Sequence, residues 1–129
     1  MTWDALRALL RRHYTLDDDG VDEVALTLPL RDGHTERAQR VMVQHYTAWN
    51  ESMVEVRSAF GEIRAGEEVE LLQQNLNLPL GAIALHGRYL VLVHKSHLTT
   101  LSIEGLLAVV ARVGELADVL EERRGGDRF

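Results

Sequence analysis

Six histidines carry most of the coordination chemistry this chain could offer: His13, His34, His45, His86, His94 and His97. Zinc needs three or four nitrogen, sulfur or carboxylate ligands converging at about 2 Å. His94-Lys95-Ser96-His97 supplies two imidazoles within four residues, and no strong third donor lies nearby in sequence. His86 and His94 fall on alternating strand segments that point them apart. The set therefore reads as strand-end and surface histidines. Asp17-Asp18-Asp19-Gly20, followed by Asp22 and Glu23, has the acidity of a calcium loop. An EF-hand loop places glycine sixth and a bidentate glutamate twelfth. With Gly20 sixth, the first position is Thr15 and the twelfth is Leu26, so the pattern fails and the run reads as a solvated turn.

Nucleophilic and acid–base arrangements are equally thin. Ser52, Ser58, Ser96 and Ser102 lack the flanking glycines of a nucleophile elbow. Gly61 and Gly66 match neither a P-loop nor a dinucleotide fingerprint. Glu55, Glu62, Glu67, Glu68 and Glu70 occupy solvent-facing positions, so no carboxylate pair stands out. The chain has no cysteine, which removes disulfides, thiol nucleophiles and thiolate metal sites. No catalytic residue, metal or cofactor is assigned, and the chain is read as a non-enzyme. The alternative is a small-ligand or catalytic site built from the histidines around 86–97.

The 129 residues are 46% hydrophobic, which is enough for a packed core, and the length is that of one domain. Net charge is −6, and Lys95 is the one lysine. Nucleic-acid binding draws on clustered Lys and Arg to neutralise phosphates. No basic run here exceeds Arg11-Arg12 or Arg123-Arg124, so a nucleic-acid partner is not expected. Neither a signal peptide nor a membrane-spanning apolar stretch of about 20 residues is visible, so the expected location is cytoplasmic without membrane attachment.

The elements that position these residues follow from periodicity. Trp3, Leu6 and Leu10 recur at helical spacing over 2–13, with Thr2 as cap. Val24, Leu26, Leu28 and Leu30 alternate with Glu23, Ala25, Thr27 and Pro29, which predicts a strand with one buried face over 22–30. Pro29 favours an edge position or a strand end, and Asp32-Gly33 signals a turn. A second strand over 37–49 buries Val41, Val43 and Trp49. A third over 52–60 buries Val54, Val56 and Phe60, with Glu55 and Arg57 outward. A short helix over 66–76 has Val69, Leu72 and Leu76 as its apolar stripe. A hairpin around Gly87 spans 80–94, apolar on both faces, which predicts two central strands. The final helix, over 102–123 with Ser102 as cap, buries a stripe from Ile103 to Leu120, with Glu115, Asp118, Glu121 and Glu122 in water. The expected architecture is α+β, in the order α-β-β-β-α-β-β-α. An antiparallel five-stranded sheet carries the helices in one domain over 1–124, with a frayed tail at 125–129.

In its second half the chain resembles the type III secretion chaperone-like superfamily, which includes YbjN-type domains. The resemblance rests on Leu71-Leu72-Gln73-Gln74-Asn75-Leu76, on Gly81 before an apolar strand, on Gly87-Arg88-Tyr89-Leu90-Val91-Leu92, and on Ser102-Ile103-Glu104-Gly105-Leu106-Leu107. The element order extends it over nearly the whole chain. It implies a homodimer whose surface holds an extended segment of a client protein. It implies no catalytic residue and no secretion machine, since YbjN-type members occur outside that setting.

The residues themselves point the same way. Three helices that cover one face of a five-stranded sheet leave the other face exposed. Met42, Tyr46, Met53, Tyr89, Val91 and Val93 fall on that reverse face and form the candidate partner or dimer interface.

Overall fold

Alternating apolar residues become strands and apolar residues at helical spacing become helices, with one addition. The computed structural model describes residues 1–32 and 35–125. The chain runs α1 (Trp3–His13), β1 (Leu16–Asp19), β2 (Glu23–Asp32), β3 (Thr35–Ala48), β4 (Glu51–Glu62), α2 (Glu68–Gln74), β5 (Ala82–His86), β6 (Tyr89–His97) and α3 (Ile103–Arg123). Short 3-10 turns follow α2 at Asn75–Asn77 and β6 at Leu98–Thr100. All pairings are antiparallel, in the order β1-β2-β3-β4-β6-β5. The class is α+β as expected, with six strands among the described residues rather than five.

The sixth strand is β1, in the acidic run expected to be a solvated turn. No apolar alternation marks it. Backbone pairing to Val24, Ala25 and Leu26 of β2 forms it, and two of its three aspartates are engaged by neighbouring side chains. Asp19 accepts from Arg7 at 3.0 Å and Arg11 at 2.5 Å, both on α1, while Asp17 accepts from the Thr27 hydroxyl at 2.6 Å. Pro29 lies past the end of β1, where β2 is an open edge and the missing N–H costs no ladder bond. The β2–β3 ladder runs to Asp32 opposite Thr35. The expected turn at Gly33, with His34, lies outside the described residues, as does the tail from Gly126.

Two further expectations are corrected. The 80–94 hairpin is not central. β6 is inside the sheet but β5 is its edge, so Ala82 and Ala84 are exposed. Trp49 does not continue the buried face of β3. Trp49 and Asn50 form the β3–β4 turn with φ of 53° and 61°, the left-handed pair that two-residue hairpins use. There Trp49 is 84% exposed.

Thr2 and Ser102 cap α1 and α3 as expected, accepting from Ala5 N at 3.1 Å and Gly105 N at 3.0 Å. Trp3, Leu6 and Leu10 of α1, and Leu106, Val110, Val113, Ala117 and Leu120 of α3, pack with Leu71 onto one face of the sheet. That face carries Val24, Leu26, Leu28, Val41, Val43, Val54, Val56, Phe60, Leu90 and Leu92. Trp3 also stacks on His45 at 5.5 Å between ring centres and donates its indole N–H to Val21 O at 2.5 Å. On α3, Asp118 and Glu121 are not in water as expected. The start of β3 runs beneath the helix, so Arg37 bonds Asp118 at 2.9 Å and Glu122 at 3.0 Å, and Glu121 is buried.

Helix α3 approaches the sheet closely at Gly114. A Cβ there would lie 2.5 Å from Leu28 Cδ2 and 3.2 Å from Val41 Cγ2. Valine gains a few tenths of a kcal/mol in helix propensity over glycine, but crowding a packed interior costs about 1–3 kcal/mol. Crowding wins. Gly114→Val is expected to lower the denaturant midpoint by an amount equivalent to about 2 kcal/mol, with an unchanged slope. A higher midpoint would refute the close approach. Among the described residues, no helix is long and apolar enough to cross a membrane.

Candidate partner-binding surface

Strand alternation turns every second residue away from the helices, and the register groups these residues into rows across the sheet. One row reads Ala25, Met42, Arg57, Val93 and Ala82; the next reads Glu23, Gln44, Glu55 and Lys95. Tyr46, Met53 and His97 form a third, while Val91 lies between Ala59 and Ala84. All six candidate residues therefore lie on the reverse face, and none belongs to the core cluster beneath the helices. They are not equally accessible. Met53 and Val91 are buried under neighbouring side chains, Met42, Tyr46 and Val93 are half-buried, and Tyr89 is exposed.

A polar network divides the apolar area, and the sequence reading missed it. Arg57 donates to Glu55 at 2.7 Å, to Gln44 at 2.8 Å and to Glu23 at 3.4 Å. Lys95 lies 3.6 Å from Glu55 and 5.7 Å from the centre of the Tyr46 ring. Opposite charges at Glu55 and Arg57, two residues apart on one strand face, were the available signal. Their pairing leaves the face close to neutral. Beside the network, toward β5, lies a concavity of about 700 Å³ lined by Gln44, Arg57, Ala82, Ala84, Val91 and Val93.

The structure does not gather the histidines. His86 and His97 share the reverse face but flank opposite ends of β6, roughly 26 Å apart at 3.3 Å per residue. His97 pairs with Glu51 at 2.5 Å, and His45 lies 3.5 Å from Asp22. His94 has the opposite parity, and its Nδ1 is buried without a hydrogen-bond partner among the described residues. Among the described residues, no three His, Asp or Glu side chains are grouped to hold a metal ion.

Helix α2 is fastened by polar contacts at its two ends rather than by an apolar stripe. Glu67, just before it, accepts Arg124 Nη1 at 2.9 Å, Arg124 Nη2 at 2.8 Å and the Arg64 backbone N–H at 2.5 Å. The Arg124 hydrogen bonds, helped by the Arg64 N–H and both positive charges, hold the Glu67 carboxyl down at about 2. Gly61 makes room for this clamp, because a Cβ there would lie 2.6 Å from Arg124 Nε. At the other end, Ile83 N–H donates to Asn75 Oδ1 at 2.5 Å, and Asn75 Nδ2 donates to Ile83 O at 3.4 Å. Leu71 is the buried residue of α2. The expected stripe of Val69, Leu72 and Leu76 faces outward, Leu76 being 90% exposed.

A solved structure has a similar fold. It is a chain of the heterodimeric complex ExoU–SpcU from the type III secretion system of Pseudomonas aeruginosa. The match covers 88% of this chain and 92% of that one, with a TM-score of 0.54 and 16% identity. The likeness is one of fold: an antiparallel α+β sheet with its helices. No family model matches the chain, and no curated protein matches it in sequence. In this fold the reverse face of the sheet and the outward stripe of α2 are two separate surfaces with apolar residues.

Proposed function

We propose that this chain is a non-enzymatic, chaperone-like protein-binding module that acts as a homodimer and holds a segment of a client protein. The observation that carries the reading is the reverse face of the sheet. It presents Met42, Tyr46, Tyr89 and Val93 around the floor residues Met53 and Val91, and no helix packs over it among the described residues. Apolar surface that flanks a neutralised polar network in this way marks interaction sites, and Tyr and Met are enriched in them. The fold likeness to a chain of a two-protein complex supports a protein partner. The reverse face and the Val69-Leu72-Leu76 stripe together supply one surface for a second copy and one for a client. The proposal covers either setting, a secretion system or the YbjN-type branch outside one.

Light scattering at micromolar concentration is expected to give twice the 14.6 kDa chain mass. Val93→Asp on the sheet and Leu72→Glu on α2 both change accessible positions, so each variant should stay folded. One of the two is expected to return the chain mass. A wild-type chain that stays monomeric at high concentration, or a dimer that neither change disturbs, would remove this basis for the homodimer.

A further inference from the structure

The two edges of the sheet are protected differently. β1 is four residues long, carries three aspartates and is irregular between Leu16 and Asp18. Short length, charge and bulging are standard defences against unwanted strand pairing. β5, Ala-Ile-Ala-Leu-His, has no carboxylate, lysine, proline or register shift. The Gly87-Arg88 turn closes on the pair His86 and Tyr89. In a two-residue hairpin that pair exchanges backbone bonds, and so do the pairs at Ala84 and Ala82. The N–H and C=O groups of Ile83 and Leu85 therefore point away from the sheet. Those of Ile83 are both bonded to the side-chain amide of Asn75. That amide offers Ile83 one donor and one acceptor, as a peptide group of a seventh strand would. No partner is found for the outward groups of Leu85 among the described residues.

We propose that the β5 edge is a strand-addition site for an extended, uncharged polypeptide segment, and that Asn75 closes it by standing in for one residue of that segment. The inference deepens the chaperone-like reading by naming where a client strand would pair. The occupant's chemistry follows from its surroundings. The groups to be satisfied are one amide donor and one acceptor at each of Ile83 and Leu85. The side chains beside them, Ala82 and Ala84 on one face and Leu85 on the other, are exposed and apolar. A segment alternating small apolar and hydroxyl residues meets both requirements.

The test uses the full chain, hydrogen exchange at single amides, and an end-capped heptapeptide alternating threonine and valine as probe. In the free protein the Ile83 amide should exchange at least tenfold more slowly than that of Leu85. Asn75→Ala should remove that difference and bind the heptapeptide at least tenfold more tightly than wild type, with both amides regaining protection. A peptide N-methylated along one edge should not bind. Asn75→Asp keeps the acceptor for Ile83 N–H and should leave Ile83 protected, which guards against a folding failure of the alanine variant. Unchanged Ile83 protection in Asn75→Ala, or peptide binding indifferent to residue 75, would overturn the proposal. So would an alanine variant that pairs β5 with a second copy and ignores the peptide. These readouts do not depend on dimer mass or on the reverse face, so they separate failure of the edge site from failure of the function proposed above.

Discussion

Val91→Asp is expected to lower the thermal midpoint by more than 10 °C. Val91 is 6% exposed, in a row with Ala59 and Ala84 on the face opposite the helices. The cationic groups nearest along the strands, Arg57 and Lys95, are already engaged with Glu55. A new carboxylate would be desolvated at this buried position. A cost of about 3–5 kcal/mol follows for an uncompensated buried charge, and each kcal/mol is worth roughly 3–5 °C for a chain of this size. Val93→Asp, two residues on and half-buried, should cost far less. Circular dichroism melts of the two variants side by side are the check. Equal small shifts would mean that Val91 is not sealed by its neighbours, and the floor assigned to the partner surface would be wrong.

The second large effect concerns acid. Glu67 and Arg124 are each more than four-fifths buried and meet through two hydrogen bonds. The folded state holds the Glu67 carboxyl at about 2, below its ordinary 4.5. A carboxyl depressed on folding contributes its stability fully above the ordinary value, and loses it as pH falls toward the folded one. At neutral pH, Glu67→Gln should cost about 1.5–3 kcal/mol, the range for hydrogen bonds to charged groups. The gap between wild type and variant should narrow as pH drops from about 4.5 to 2. Urea midpoints at pH 7, 4 and 2.5 measure it. A gap constant across that range would place Glu67 outside the clamp.

Much of the architecture was legible because it rests on simple periods. Val24-Leu26-Leu28 and Val54-Val56 alternate without interruption, and α3 keeps its stripe from Leu106 to Leu120, so their buried faces could be assigned directly. The same alternation placed all six reverse-face residues together. What escaped was set by contacts distant in sequence. β1 has no apolar pattern, and the charge of Asp19 is met only once Arg7 and Arg11 of α1 lie alongside. The face α2 buries is decided by Glu67 and Asn75 at its ends, so Leu71 goes inward and the stronger-looking stripe goes out. The outward apolar residues of β5 suggested a central strand, yet apolar faces alone cannot tell a covered strand from an edge. The Glu23–Arg57–Glu55–Lys95 network required knowing which strands are neighbours.

The two tryptophans of this chain sit in opposite surroundings, and that gives the molecule a built-in pair of optical reporters. Trp3, buried at the start of α1 and stacked on His45, emits from a dry site whose brightness tracks the docking of the N-terminal helix. Trp49, projecting from the tip of the long hairpin, emits from water and is open to any soluble quencher. A single phenylalanine exchange at position 49 would isolate the first signal, and one at position 3 the second. Loosening of the helical layer and contact at the hairpin tip could then be followed separately in the same chain.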